Sequence, residues 1–126
     1  MIIGQGVDIA DISRITRACE QGGDAFIKRV YTEYEIAVAN EKRNAKWAYY
    51  AGRWAAKEAF SKAMGCGIGE NCSFTDIEIR EQSSGAPLIS VSGRALEYLR
   101  KLGGSNLHVS ISHEARYAVA MVIIEK

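Results

Sequence analysis

Cysteine pairs, long apolar runs and an excess of either charge are all missing from this 126-residue chain. Its three cysteines, Cys19, Cys66 and Cys72, form no Cys-x-x-Cys pair, so we expect free thiols in a reducing compartment and no zinc knuckle. No run of about 18 apolar residues occurs, which predicts no membrane-spanning helix. The first residues lack a basic region followed by a long apolar run, so we expect no signal peptide and a cytoplasmic protein.

The charges nearly cancel, with 16 Lys and Arg against 15 Asp and Glu. This balance gives little steering toward nucleic acid, and no basic stripe or exposed aromatic platform favours RNA binding. No internal repeat, low-complexity tract or linker interrupts the chain. With 48% apolar and 25% charged residues, the composition predicts one ordinary globular domain over residues 1–126.

The first part of the chain is predicted to be one strand followed by short helices. A β-branched run at 2–9 is typical of a buried strand. Asp11 can cap a helix that Gly22–Gly23 would end, and a second helical stretch follows it. Thr32–Glu35 has the spacing of a capping box, which predicts a helix to about Glu41.

The longest predicted helix covers 45–64, where alanine recurs seven times and only one glycine occurs. The elements after it are a half-exposed strand at 75–80, a turn at 83–87, a return strand at 88–91, a helix capped by Ser92, and strands at 107–112 and 117–124. Strands and helices do not alternate regularly. The order therefore predicts an α+β fold with a mainly antiparallel sheet packed against the long central helix.

Two charged side chains on the central helix are candidates for chemistry. Placing residues at 100° intervals puts Glu58 and Lys62 on the side rich in alanine, with Arg53 on the opposite side. One interpretation is a surface pair that stabilises the helix by about 0.2–0.5 kcal/mol. The other follows from the alanines, which favour close approach of another backbone. A carboxylate there loses solvent, so it requires a cation or a ligand.

Three further positions have both a structural and a functional interpretation. Asp8 ends the first strand, where it either caps the next helix or, with Glu58, offers oxygen ligands that suit Mg²⁺ together with water and substrate phosphates. The turn at 83–87 either connects two strands or lets its glycine backbone approach a ligand. His113, after a strand, either binds an anion or caps the turn.

The order and the amino-acid sequences of several segments resemble those of a known family. The segments Gly6–Ile9 and Ala51–Ala63 resemble the two signature segments of 4′-phosphopantetheinyl transferases, and more narrowly of the short holo-(acyl-carrier-protein) synthase group. The likeness continues through Phe74–Ile79, Gly85–Pro87, Val109–His113 and Tyr117–Ala120. It therefore covers nearly the whole chain.

The resemblance implies a Mg²⁺-dependent enzyme of fatty acid biosynthesis. Such an enzyme transfers 4′-phosphopantetheine from coenzyme A to a serine of apo acyl carrier protein and releases 3′,5′-ADP. The resemblance implies that Asp8 and Glu58 hold Mg²⁺, that Glu58 and Lys62 are catalytic, and that Lys62 steadies charge on the transferring phosphate. Whether a metal-activated water or Glu58 removes the serine proton stays open.

The resemblance also implies positions for the two substrates. The residues that it places at coenzyme A are Arg53, Lys62, Gly85, Pro87, Ser112 and His113. Arg53 has a structural interpretation as well, because it lies away from Glu58 on the helix. Arg14 and Arg17 are implied as docking residues for an acidic carrier protein, extended by Lys28 and Arg29, against the alternative of an ordinary solvated helix face.

Longer relatives carry two such halves in one chain, whereas this chain matches one half. The resemblance therefore implies a homotrimer with sites between subunits. Two alternatives remain: a related enzyme that serves another carrier, such as one of polyketide assembly, and a non-catalytic coenzyme A or nucleotide-binding module. The joint presence of Asp8, Glu58 and Lys62 disfavours the second alternative.

Overall fold

A three-stranded antiparallel sheet with a long helix packed on it forms the centre of the structure, a computed structural model that describes residues 1–126. The elements in chain order are β1 (Ile2–Asp11), α1 (Ile12–Val30), α2 (Glu33–Glu41), α3 (Lys46–Ala63), a 3-10 turn (Phe74–Asp76), β2 (Ile77–Glu81), β3 (Pro87–Val91), α4 (Gly93–Leu102), β4 (Asn106–His113) and β5 (Tyr117–Glu125). The sheet has the order β1-β5-β4, and β2 and β3 form a separate hairpin. The predicted α+β fold is confirmed. None of the helices is long and apolar enough to cross a membrane.

Strand β1 lies directly against α3 because glycine faces the helix. A Cβ atom on Gly4 would overlap the carbonyl oxygen of Ala63, and one on Gly6 would overlap that of Ala59. Only glycine permits this approach of two backbones. Side chains alternate between the two faces of a strand, so Asp8 also faces α3. The alanine-rich side of the helix is thus explained by the strand that it contacts.

The opposite face of the sheet is apolar and uncovered. Val7, Ile9, Val119 and Met121 are exposed by 57%, 65%, 38% and 44%. The strand register places Val7 beside Met121 and Ile9 beside Val119, so the four side chains are neighbours. We call these four residues the outer sheet patch. Exposed apolar patches of this kind mark surfaces that bind other molecules.

The first helix follows the prediction at its start and at its glycines. Asp11 caps it as expected, since its carboxylate accepts a hydrogen bond from the Ser13 amide at 2.9 Å. The glycines at 22–23 also separate two helical stretches as predicted, because the backbone of Gly23 is not helical and divides α1 (Ile12–Val30) at a kink. The backbone of Gly23 has φ 61°, a conformation that glycine adopts without strain. The capping box at Thr32–Glu35 is confirmed.

The expected strand at 75–80 begins later than predicted. Thr75 lies in the 3-10 turn, and β2 starts at Ile77. Asp76 explains the difference, because its carboxylate accepts from the amide of Ser73 at 3.3 Å and from that of Ala95 at 3.3 Å. These bonds fix the chain in a turn that an alternating sequence pattern does not reveal.

The three cysteines are free, as predicted. Cys19 and Cys72 are buried, and burial raises the pKa of the Cys19 thiol to about 11 and that of Cys72 to about 12. Cys66 is only partly buried. Thiols with such raised pKa values carry little thiolate at neutral pH, so Cys19 and Cys72 are core residues.

Candidate active site

Three of the predicted site residues meet where β1 crosses α3. Lys62 Nζ donates to Asp8 Oδ1 at 2.9 Å and to the carbonyl oxygen of Val7 at 3.2 Å. The ammonium has three donors, so one remains without a protein acceptor, and the Lys62 side chain is 51% exposed. Glu58 lies one helical turn before Lys62 on the same side of α3. The structure thus brings Asp8, Glu58 and Lys62 together from two elements.

The surroundings of Glu58 disfavour its charge. Partial burial raises the pKa of its carboxyl group, the nearby Asp8 carboxylate raises it further, and the Lys62 ammonium lowers it in part. Desolvation and a like charge both favour the protonated form of an acid. A cation between the two carboxylates would remove both penalties.

The donor chemistry of this cluster fits Mg²⁺. No group of three His, Cys, Asp or Glu side chains lies close enough to hold a metal ion by itself. Asp8 and Glu58 nevertheless offer hard oxygen ligands from two directions. Mg²⁺ commonly takes one or two protein carboxylates and completes its six ligands with water and substrate phosphates. The cluster therefore suits a metal that is shared with a phosphate-containing substrate.

Arg53, Gly85 and Pro87 belong to a second group on another side of α3. The Arg53 guanidinium donates to Glu81 Oε1 at 3.2 Å and lies over the Tyr49 ring at 4.2 Å. Glu81 is the register partner of Pro87 in the β2–β3 hairpin. The ion pair therefore holds the turn end of the hairpin against α3. Neither Glu81 nor Tyr49 was identified from the sequence.

The hairpin turn itself is exposed and tightly closed. The Gln82 amide donates to the carbonyl of Ala86 at 2.8 Å, and Gly85 has φ 90°, which favours glycine. Where Arg53 lies over the Tyr49 ring, Tyr49 Oη and Arg53 Nε are buried without a hydrogen-bond partner. Buried polar atoms are normally paired, so these two atoms are exceptions to the usual pattern.

Ser112 and His113 form a third group at the end of β4. Ser112 pairs with Val119, whose other register partner is Ile9, so Ser112 lies on the side of the sheet that carries the outer sheet patch. Asp8 faces the other side. His113 borders a groove of about 590 Å³ between α1, α3 and the β4–β5 turn. Within one chain, this group does not meet the Asp8 cluster.

The two predicted docking arginines lie on the exposed side of α1. Arg14 and Arg17 form no salt bridge within the chain. Arg14 borders a hollow of about 230 Å³ that Ile9, Phe26 and Trp54 help to line. Trp54 lies one helical turn before Glu58 on α3, so this basic and apolar surface is close to the Asp8 cluster. Lys28 and Arg29, in the last turn of α1, are also exposed.

A buried ion pair between α3 and α2 was not predicted from the sequence. Lys57 Nζ lies 2.7 Å from Glu35 Oε1, and both side chains are fully buried. The same ammonium donates to the carbonyl oxygens of Val30 at 2.7 Å and Phe74 at 3.1 Å. The sequence did contain a signal for it, since Lys57 lies on the same side of the helix as the apolar Phe60. A lysine on such a side is expected to be buried, and a buried cation requires an acidic partner.

Comparison with known proteins agrees with this geometry. Residues 4–122 match the family model described as the 4′-phosphopantetheinyl transferase superfamily. The chain is 45% identical to a holo-[acyl-carrier-protein] synthase of Ruminiclostridium cellulolyticum over 94% of this chain and 89% of that protein. It is also 45% identical to one of Solibacter usitatus over 99% of both.

Solved structures show the same similarity in three dimensions. The crystal structure of holo-[acyl-carrier-protein] synthase from Neisseria meningitidis has a TM-score of 0.91 at 36% identity and covers all of both chains. The one from Helicobacter pylori, in complex with coenzyme A, has a TM-score of 0.85 at 36% identity over 96% of this chain and 99% of that chain. All three groups of candidate residues lie within the matched segments.

Proposed function

Because the chain belongs to the 4′-phosphopantetheinyl transferase superfamily, we propose that it transfers 4′-phosphopantetheine from coenzyme A to a serine of an apo acyl carrier protein of fatty acid biosynthesis. The serine oxygen forms a bond to the β-phosphorus, the bond to 3′,5′-ADP breaks, and the serine proton is released. The observation that carries the proposal is the meeting of Asp8, Glu58 and Lys62 at one open surface. The chain is a member of a group whose relatives are named holo-[acyl-carrier-protein] synthase.

We propose that Asp8 and Glu58 hold Mg²⁺, which when bound neutralises charge on the coenzyme A pyrophosphate. Lys62 has one donor free and is half exposed, so it can donate to a phosphate oxygen where charge develops. Its bond to Asp8 fixes the ammonium beside the carboxylate pair. These residues position and stabilise the reacting phosphate, which is the main requirement of phosphoryl-type transfer.

We propose that the coenzyme A nucleotide lies against Gly85, Pro87, Ser112 and His113, with Arg53 holding the hairpin behind the turn. Inside one chain these residues do not meet the Asp8 cluster, so one copy contributes the carboxylates and a second copy the nucleotide side. The outer sheet patch offers the apolar surface for that contact. A homotrimer with sites between subunits satisfies both the divided site and the uncovered sheet face.

For the carrier protein, we propose docking on α1 at Arg14 and Arg17. Their guanidinium groups have no acidic partner in the chain, so they are available to an acidic surface. The hollow beside Arg14 can receive apolar side chains of the carrier. Reversing the charge at Arg14 should raise the KM for the carrier about tenfold or more and leave the KM for coenzyme A unchanged.

The decisive experiment mixes the purified protein with coenzyme A, Mg²⁺ and an apo carrier and weighs the carrier by mass spectrometry. We expect a gain of one phosphopantetheine that EDTA, Asp8→Ala and Glu58→Ala each abolish. Glu97→Ala, an exposed carboxylate on α4, is the matched control and should retain activity. If coenzyme A binds but no tested carrier gains mass, the transferase function is wrong and a binding module is the better description.

A second experiment tests the assembly. Met121→Glu places a charge in the outer sheet patch, and we expect light scattering to change from the mass of three chains to that of one, with transfer lost. Glu97→Gln should leave the mass unchanged. A wild-type protein that is monomeric yet fully active would contradict the division of the site between copies.

A further inference from the structure

The buried Lys57–Glu35 pair lies on the side of α3 that faces the β2–β3 hairpin. We propose that Lys57 and Glu35 are a positioning pair that fixes the hairpin, and with it the coenzyme A turn at 83–87, relative to the central helix. The inference rests on the proposed nucleotide role of that turn. It assigns a role in substrate binding to two residues that touch neither the metal cluster nor the exposed turn.

Lys57 uses all of its hydrogen-bonding capacity inside the protein. Its three donors are directed to Glu35 Oε1, to the carbonyl oxygen of Val30 at the end of α1, and to that of Phe74 in the 3-10 turn. The side chain is fully buried. A substrate therefore has no donor left to contact, and any effect of Lys57 on the reaction must act through the segments that it holds.

Glu35 connects the same site to the hairpin. Its Oε1 atom accepts from the Thr32 amide at 2.9 Å as well as from Lys57, and its Oε2 atom accepts from the Ile79 amide at 2.8 Å. Ile79 lies in the middle of β2. The pair therefore binds the segment 74–79 at two points, the Phe74 carbonyl and the Ile79 amide, at the base of the strand that leads to the hairpin turn.

The strands of the hairpin form no ladder with the central sheet, so its position is set by the buried side chains of Ile77 and Ile79 and by such polar links. Its base is bound by Lys57 and Glu35, and its turn end is bound by Arg53 through Glu81. Lys57 and Arg53 are both on α3. The helix that carries Glu58 and Lys62 thus also sets the position of the turn, by two polar connections four residues apart.

Burying an ion pair in a protein core has a large desolvation penalty. Burial lowers the pKa of Lys57, and the nearby Glu35 carboxylate reverses this lowering only in part. Apolar side chains of similar volume often replace such a pair without loss of stability. What they lack is direction: they cannot accept from the Ile79 amide or donate to the Phe74 carbonyl. This distinction separates a positioning role from a purely stabilising one.

The metal cluster has its own supports. Contact of Gly4 and Gly6 with the α3 backbone and the Lys62–Asp8 bond hold β1 against the helix, and neither involves Lys57 or Glu35. Loss of the buried pair is therefore expected to disturb the coenzyme A turn and to leave the Mg²⁺ requirement unchanged.

The test uses the double variant K57M/E35M in the full chain, which removes both charges and keeps the volume. We expect faster amide hydrogen exchange in the peptide 77–91 and a KM for coenzyme A raised about tenfold, with kcat within about twofold of wild type. The Mg²⁺ concentration for half-maximal activity should not change. Arg94→Met, which removes a cation from an exposed pair with Glu70, is the control and should change none of these quantities.

Several outcomes would overturn the inference. A folded double variant whose KM for coenzyme A and amide exchange at 77–91 match wild type would show that the pair only stabilises the core. A lower kcat with an unchanged KM for coenzyme A would show the same. If the double variant does not fold, Glu35→Gln replaces it. The amide has one acceptor oxygen for the three donors that the carboxylate binds, so the same rise in KM is expected. If wild type binds coenzyme A without transferring it, the proposed function fails, and the calorimetric Kd of the variants still decides the inference.

Discussion

Five residues apart on α3, Lys57 and Lys62 each bind a carboxylate from a distant part of the chain, at 2.7 Å and 2.9 Å. Lys57 and Glu35 are fully buried, and every donor of the lysine is used. Lys62 and Asp8 are 51% and 15% exposed, one donor is free, and the carboxylate of Glu58 is nearby. The same combination of a lysine and a carboxylate therefore has two roles. The Lys57–Glu35 pair holds elements together inside the protein, and the Lys62–Asp8 pair forms part of a reactive surface.

The two pairs differ in how many hydrogen-bonding groups and charges remain without a partner after folding. The buried pair leaves no unused hydrogen-bonding group, so it can bind nothing further. The exposed cluster keeps a free donor and, beside Asp8, the Glu58 carboxylate, whose charge is disfavoured by burial. This is the condition that attracts a metal ion and a phosphate. A lysine–acid pair is evidence for a site only when such capacity remains.

The largest effect in this comparison should come from breaking the buried pair on one side. Lys57→Met leaves the Glu35 carboxylate buried and uncompensated, and we expect a loss of about 3–5 kcal/mol in the free energy of unfolding. Urea denaturation followed by circular dichroism measures it. A loss below about 1 kcal/mol would mean that Glu35 finds water or another donor.

The matching change in the exposed cluster should affect activity and not stability. Lys62→Met removes a half-exposed pair, so the free energy of unfolding should change by less than about 1 kcal/mol. Loss of a donor to the transferring phosphate should lower kcat about 100-fold or more. Both values come from the same preparation, assayed by mass spectrometry and by urea denaturation. Equal effects of the two lysine variants on stability would remove the distinction.

A smaller effect is expected when the strand that presents Asp8 is displaced. Gly6→Ala forces a Cβ atom into the backbone of α3 at Ala59, so β1 must move away from the helix. We expect about 1–3 kcal/mol of lost stability and a higher Mg²⁺ concentration for half-maximal activity. Gly69→Ala is the control, because nothing lies within 4 Å of the added carbon. Equal Mg²⁺ requirements in the two variants would contradict the role of this packing.

The smallest effect concerns the charge on Glu58 in metal-free buffer with EDTA. Its pKa is raised on folding, so the folded state binds a proton more readily between the ordinary and the raised pKa. The contribution of this group to stability therefore falls as pH rises through that window. Glu58→Gln should raise Tm slightly at about pH 8 and not at about pH 3, where Glu58 is protonated in both states. A lower Tm for Glu58→Gln at the higher pH would contradict the assigned direction.

Part of this arrangement was predictable because it depends on local sequence. The period of α3 places Glu58 and Lys62 on one side and Lys57 on another, and the spacing of Thr32 and Glu35 predicts the capping box that the structure contains. The strand–helix order also predicted the fold class. These features are decided by residues close together in the chain.

The pairings across the fold could not be obtained in this way. Lys62 meets Asp8 across 54 residues and Lys57 meets Glu35 across 22. Periodicity states which side of a helix a residue occupies and not which element covers that side. The resemblance to a known family named Asp8 with Glu58, but Glu35 served only as a predicted helix cap. Its second oxygen, which binds Ile79, has no counterpart in any local pattern.

The pairing of β1 with β5 has a consequence for the order of synthesis and folding. Residues 2–11, which carry Asp8, form their ladder with residues 117–125, so this strand has its partner only after all the residues between them have been added. Contacts this distant in sequence are slow to form. Helix α3 can be complete much earlier, with Glu58 and Lys62 exposed on it. A nascent or truncated chain without β5 contains Asp8 but lacks the strand that pairs with β1, and should be unable to catalyse transfer before β5 is in place.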